Sequence, residues 1–201
     1  MKIDTLELGA IQTNCYIVYN EGAEEAIIID PAGEPEKIKR ALDGKKAAAV
    51  LLTHGHFDHT GALSAFEGTP IYMHPSDDVM LLDPVWSVGD MVGDTAPRPA
   101  ATNYVQEGMK LRLAGLDIAV LHTPGHTLGS VCYQIGDALF TGDTMFCGSY
   151  GRTDFPGGEY DDLIRSIMER VVLLDPEIRI LPGHGIASEV WKEKKYNPFL
   201  K

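Results

Sequence analysis

Cysteine is scarce in this chain of 201 residues, and what there is does not pair. Cys15, Cys132 and Cys147 are odd in number and show no C-x-x-C spacing. No disulfide framework therefore organises the fold, and a reducing cytoplasm is the default location. Long apolar runs are absent as well. The longest, Ala47 to Leu52, falls far short of the ~20 residues a membrane span needs. The opening Met1-Lys2-Ile3-Asp4-Thr5-Leu6-Glu7 has no uninterrupted apolar region, so no signal peptide is expected. Positive charge is also in deficit: 17 Lys and Arg against 29 Asp and Glu leave a formal charge of −12. The few basic clusters (Lys37, Lys39, Arg40, Lys45, Lys46; Lys192, Lys194, Lys195) alternate with acids or lie near chain ends. Such a surface repels a phosphate backbone, which argues against nucleic acid as the partner. There is no Walker loop, dinucleotide fingerprint or zinc finger, and Ser149 lacks the G-x-S-x-G context of a serine nucleophile.

What is present is a strand-rich pattern with helices between. Thr13 to Tyr19 and Ala26 to Asp30 are β-rich, and Pro35 to Leu42 reads as a short amphipathic helix. Ala47 to Thr53 is a nearly continuous apolar run, as expected of a strand buried on both faces. Pro70 to His74, Lys110 to Leu113, Asp117 to His122, Val131 to Ile135, Ala138 to Thr141 and Ile178 to Leu181 are further strands. Tyr160 to Leu174 is the clearest helix, and His59 to Phe66 and Pro75 to Leu82 are shorter ones. Between Asp83 and Gln106, Pro84, Gly89, Gly93, Pro97 and Pro99 break any period, as in a functional loop. Helices must cover the outer faces of two sheets, so the expected architecture is a four-layer αββα sandwich.

Histidine carries the chemistry. Three of the seven histidines crowd into Thr53-His54-Gly55-His56-Phe57-Asp58-His59, directly after the buried apolar strand. Packing does not ask for three imidazoles and a carboxylate in six residues, and they would repel one another on protonation. A metal ion does ask for them. A loop beyond a strand's carboxyl end is also where α/β proteins place their sites. Three other segments share this strand-then-turn grammar: Leu121-His122-Thr123-Pro124-Gly125-His126-Thr127, Phe140-Thr141-Gly142-Asp143-Thr144 and Ile180-Leu181-Pro182-Gly183-His184-Gly185. Each sets His or Asp beside a glycine that lets the backbone turn sharply.

This combination resembles the signature of the metallo-β-lactamase superfamily. The resemblance implies that His54, His56 and His126 hold one metal and Asp58, His59 and His184 a second, with Asp143 between them. Within that superfamily the chain is similar to the glyoxalase II-like group, through Asn14-Cys15-Tyr16, the segments around His126 and Asp143, the stretch Gly148 to Gly158, and Asn197-Pro198-Phe199. It implies one metallo-β-lactamase-like domain over residues 1–201, without the C-terminal helical domain that helps full-length glyoxalase II bind glutathione. The activity implied is hydrolysis of a small-molecule thioester. Two divalent ions, zinc first with iron or manganese as alternatives, would share a hydroxide whose pKa falls toward ~7. Asp58 is the candidate to orient that nucleophile and carry its proton. The alternatives are a persulfide dioxygenase using one iron on His54, His126 and Asp143, and a lactonase or other ester hydrolase.

The remaining polar residues carry weaker signals. Asp30 ends its strand and is a candidate to hydrogen-bond a ligand from behind. Arg152 is a candidate contact for an anionic substrate group, or else a partner that braces Asp154. His74 and His122 fall outside the pattern and read as structural. Cys147 reads as a small buried filler. Trp86 and Met91 either line a substrate mouth or pin the long loop.

Overall fold

The structure is a computed structural model that describes residues 1–200. The first half supplies β1 (Lys2–Leu8), β2 (Thr13–Tyr19), β3 (Glu25–Ile29), α1 (Pro35–Ala41), β4 (Lys46–Leu51), α2 (Phe57–Thr60), β5 (Ile71–Met73) and β6 (Asn103–Tyr104). Its six strands form one sheet in chain order, antiparallel from β1 to β3 and parallel from β3 to β6. The second half supplies β7 (Lys110–Leu113), β8 (Leu116–His122), β9 (Val131–Ile135), β10 (Ala138–Gly142), a hairpin of β11 (Met145–Phe146) and β12 (Ser149–Tyr150), α3 (Tyr160–Ser166), β13 (Arg179–Pro182), β14 (Ser188–Glu189) and α4 (Val190–Tyr196). Its sheet runs β14-β13-β10-β9-β8-β7, with β10 and β13 parallel and the other pairs antiparallel.

Strand parity explains why the two sheets stack. Successive side chains leave a strand on opposite faces, and β2 and β3 are apolar on both. Tyr16, Val18, Ile27 and Ile29 point into the space between the sheets, where they meet Val120, Tyr133, Phe140 and Leu181. Cys15, Ile17, Ala26 and Ile28 face the other way and pack under Ile38 of α1 and Leu63. On the far side, Cys132, Leu139 and Ile180 are covered by Leu163, Ile167, Val171 and Val190. Three apolar layers separate four layers of secondary structure, so the αββα expectation holds.

Several segments differ from the sequence reading, each for a physical reason. β1 is amphipathic and half exposed at the sheet edge, so it lacks the apolar density that reveals an inner strand. The helix from Tyr160 stays regular only to Ser166 and continues as a π-helical turn over Ile167–Val171, which keeps Leu163, Ile167 and Val171 against the sheet. The loop from Asp83 is not structureless: a 3₁₀ turn over Gly89–Val92 and the short β6 punctuate it. No helix among the described residues is long and apolar enough to cross a membrane.

Candidate metal centre

Four strand ends meet at one edge of the sandwich. β4 leads into the loop of His54 and His56 and into α2, which carries Asp58 and His59. β8 leads to His126, β10 to Asp143 and β13 to His184. The sheets are stitched together just beneath. Val131 N donates to Thr53 O at 2.8 Å and Asn14 N to Gly183 O at 2.7 Å. Tyr16 Oη donates to Pro182 O at 2.6 Å, and Asn14 Nδ2 to Pro182 O and Gly185 O, both at 2.9 Å. Asn14 and Tyr16 thus fix the turn that presents His184. Glycine is required at two of these turns. A Cβ on Gly183 would stand 2.2 Å from Asp143 Oδ1 and 2.6 Å from His59 Cε1. Gly125 has φ +131°, and a Cβ there would stand 2.1 Å from Leu163 N.

The donor atoms fall into three overlapping groups: His54, His56 and His126; His54, His59 and Asp143; Asp58, His59 and His184. Within each group the candidate ligand atoms lie within 4.8 Å of one another. Hydrogen bonding from behind sets which nitrogens face inward. Thr53 Oγ1 donates to Asp30 Oδ2 at 2.6 Å, so it is free to accept from His54 Nδ1 at 3.1 Å. His59 Nδ1 donates to the same Asp30 oxygen at 2.9 Å, and His126 Nδ1 to Arg152 O at 2.7 Å. Carboxylate and carbonyl oxygens only accept, so Nδ1 carries a proton in His59 and His126, and the Nε2 atoms of His54, His59 and His126 turn toward the centre. His56 Nδ1 lies 2.9 Å from His126 Nε2, bringing those two rings to one point.

The set fits a cation and little else. His54 Nε2, His56 Nε2, His59 Nε2 and Asp143 Oδ1 are buried without a hydrogen-bond partner. Unpaired polar atoms at this depth are rare, and so many together mark a ligand site. His59 Nε2 faces Asp58 Oδ2 and Asp143 Oδ1, each at 3.3 Å, and His184 Nε2 faces Asp58 Oδ2 at 3.3 Å and Asp143 Oδ2 at 3.5 Å. Electron-rich atoms face one another there, and only a proton or a metal ion reconciles them.

The two sides of the centre differ in charge. Burial, reinforced by the neighbouring imidazoles, holds His54 well below the ordinary histidine value. Burial brings His56 down to about 3 and also lowers His126. These three are neutral donors. Burial also opposes charge on His59, but Asp58, Asp143 and Asp30 together outweigh it and hold its pKa well above normal. His184 is raised as well, its burial outweighed by Asp58 and Asp143. Burial would raise Asp58 and Asp143, yet His59 and His184 keep both carboxyls below their usual range.

Asp30, suspected from the sequence, sits directly behind the centre. It accepts from Thr53 N, Thr53 Oγ1 and His59 Nδ1, in a left-handed backbone conformation with φ +50°. Two residues escaped the sequence reading. Thr13 Oγ1, fully buried on β2, donates to Asp58 Oδ2 at 2.7 Å. Asp77, in the first turn of the 3₁₀ segment that begins at Pro75, is buried and clamps the two loops that carry His56 and His126. It accepts from Gly55 N at 3.2 Å, Thr127 Oγ1 at 2.7 Å and Gly129 N at 2.6 Å. Burial pushes its carboxyl up to about 6 against the pull of those bonds. Neither carries a local sequence signal, because each acts on residues far away along the chain.

The other expectations resolve as follows. His74 and His122 stack on each other away from the centre, with ring centroids 4.1 Å apart. Cys147 is exposed rather than a buried filler, because it sits at the tip of the β11–β12 hairpin. Arg152 reaches the site, but Asp154 takes its guanidinium fork at 2.6 and 2.7 Å. Met91 lines the cavity above the centre and Trp86 packs beside Gly157. That cavity holds about 550 Å³, with His56, Asp58, Asp143 and His184 in its wall.

The family model of the metallo-beta-lactamase superfamily matches residues 8–184. Hydroxyacylglutathione hydrolase GloC of Haemophilus influenzae is 36% identical over 211 residues, covering 100% of this chain and 98% of the relative. Among solved structures, BLEG-1 B3 metallo-beta-lactamase superposes with a TM-score of 0.95 at 34% identity, covering all of both chains. TTHA1623, solved in a di-iron-bound form, superposes with a TM-score of 0.86 at 37% identity, covering 98% of this chain and 100% of its own.

Proposed function

Because this chain belongs to the metallo-beta-lactamase superfamily, we propose that it is a dinuclear metal hydrolase that cleaves a small thioester. The observation that carries the reading is the convergence of seven donors, several of them buried and unpartnered, beneath an open cavity whose wall includes four of them, His56, Asp58, Asp143 and His184. His54, His56 and His126 would hold one ion and Asp58, His59 and His184 the other, with Asp143 shared. When bound, such ions supply the lowered water pKa and the Lewis acidity that hydrolysis needs at neutral pH. Zinc suits the nitrogen-rich donor set, and iron or manganese suits the carboxylates.

The chain's own residues position the rest. Thr13 and His184 hold Asp58 at the cavity wall, where its carboxylate can orient an attacking water and take its proton. Asp30 fixes the rings of His54, through Thr53, and of His59. Arg152 O fixes His126. The thioester reading draws on the likeness to the relative named as a hydroxyacylglutathione hydrolase.

A single-iron dioxygenase would need only His54, His126 and Asp143. Elemental analysis of protein purified anaerobically without added metal, followed by assay on a thioester panel, separates the readings. About two ions per chain with thioester turnover is expected. One iron per chain with oxygen uptake on glutathione persulfide would replace the proposal.

A further inference from the structure

The cavity over the metal centre is polar at its floor and apolar above. Its upper wall is built from Ile11, Val88, Met91, Val92, Phe146 and Phe155. Three of these stand well exposed: Ile11 at 51%, Met91 at 70% and Val92 at 61%. Scattered exposed apolar residues are ordinary, but a group lining the mouth of a reactive centre marks a binding surface. Val88 adds a second observation. It is β-branched, buried and held at φ +57°, a conformation such residues rarely adopt without a functional reason. The segment is tied to the ligand helix, since Phe57 N donates to Ser87 O at 3.0 Å. The strained turn therefore presents Met91 and Val92 to the cavity in fixed register with Asp58 and His59.

Charge points the same way. Arg152 is the only Lys or Arg lining this cavity among the described residues. Asp154 engages its guanidinium through two hydrogen bonds, and its Cζ stands over the Phe155 ring, 3.8 Å from the centroid. The one cation on the wall is thus already paired, with only Nη1 left to meet a substrate carboxylate, and a chain of net charge −12 repels anions at long range. Glutathione brings two carboxylates, so the wall does not complement it.

We infer that this site takes a neutral thioester or ester whose apolar acyl chain lies along the wall formed by Ile11, Val88, Met91, Val92, Phe146 and Phe155. This rests on the hydrolase reading above, and it names the substrate class within it. The acyl carbonyl then sits over the polar floor, while the chain covers apolar surface that water otherwise contacts.

The test uses metal-loaded protein and two matched substrate series, acetyl to octanoyl thioesters of N-acetylcysteamine, a neutral thiol, and the same acyl groups on glutathione. In the neutral series kcat/KM is expected to rise about two- to fourfold per methylene as far as hexanoyl, chiefly through KM. Glutathione should bring no gain. Met91→Lys should flatten the series, and Asp154→Asn, by freeing Arg152, should raise turnover of the glutathione thioesters about threefold or more. A flat chain-length series overturns the proposal, as does a glutathione preference of about tenfold or more. A dimer that Met91→Lys dissociates overturns it too, since a second copy would then be what covers this wall.

If neither series turns over, calorimetry with the uncleavable thioethers S-hexyl- and S-methyl-N-acetylcysteamine decides. Tighter binding of the hexyl compound keeps the apolar wall and removes only the hydrolase reading. Equal binding removes the wall.

Discussion

The two halves of the candidate metal centre differ in exposure, the first wholly buried and the second opening to the cavity at His184, and they solve opposite electrostatic problems. His54, His56 and His126 form a neutral side, where desolvation strips the protons and leaves lone pairs facing one another. Asp58, His59, His184 and Asp143 form a charged side, where imidazoles and carboxylates neutralise each other as ion pairs. A metal ion on the neutral side displaces nothing. On the charged side it must displace the His59 proton, so binding there releases a proton and strengthens with pH. The lesson is that similar ligands around one cavity need not bind alike: the neutral side should fill first and hold its ion to lower pH.

The sharpest way to break this comparison is to remove the residue the halves share. Asp143→Asn should lower both metal content and kcat/KM, by more than the ~100-fold that loss of an outer hydrogen bond brings. Elemental analysis beside activity checks it, and retention of two ions would show that the halves do not meet at Asp143.

The next effect separates the halves. His56→Ala should empty the neutral side, leaving about one ion per chain and little thioester turnover. In metal-free protein the two sides should also titrate with opposite sign. The lowered pKa of His56 means that the folded state binds fewer protons than the unfolded chain between about pH 3 and 6.5. Its contribution to stability is therefore complete above pH 6.5 and is lost as the pH falls. His56→Ala should gain stability relative to the parent as pH drops from 6.5 to 4.5. His59, with its raised pKa, contributes fully below pH 6.5 and loses its contribution as pH rises through the folded value. His59→Ala should therefore cost most at low pH and progressively less at high pH. Urea unfolding of each variant and the parent at matched pH values tests both slopes, and parallel slopes would erase the distinction.

Smaller losses should follow from the residues behind each half. Asp30→Asn weakens the hold on His59 and Thr53, and Asp77→Asn breaks the clamp between the His54–His56 and His126 loops. Each should cost about 10–100-fold in metal affinity. Asp77→Asn is expected to act mainly on the neutral side and Asp30→Asn mainly on the charged one, as metal competition with a chelating dye would reveal. Cys147→Ser should change neither metal content nor turnover measurably, because the thiol is exposed at a hairpin tip.

The same contrast runs through what could be read before the fold was known. The candidate ligand side chains announce themselves because a metal needs particular atom types, and chemistry of that kind is written in residue identity: His-x-His-x-Asp-His has no rival explanation in packing. The inner strands are legible for a similar reason, since β3 and β4 must be apolar on both faces to lie inside four layers. β1, β6 and α4 were not legible, being short, half exposed or amphipathic, and held by neighbours rather than by their own pattern.

By itself, then, the sequence determined the layer count, the inner strands and the candidate donor residues, because burial and ligation each restrict residue type at a single position. Only the tertiary structure decided which ring nitrogens face the centre, that Thr13 and Asp77 serve it, that Asp154 occupies Arg152, and that the cavity's upper wall is apolar. Each of these depends on distances between residues remote in the chain. Asp77 and Gly129, or Thr13 and Asp58, become neighbours only when the sheets stack, and no local pattern records a contact made across the fold.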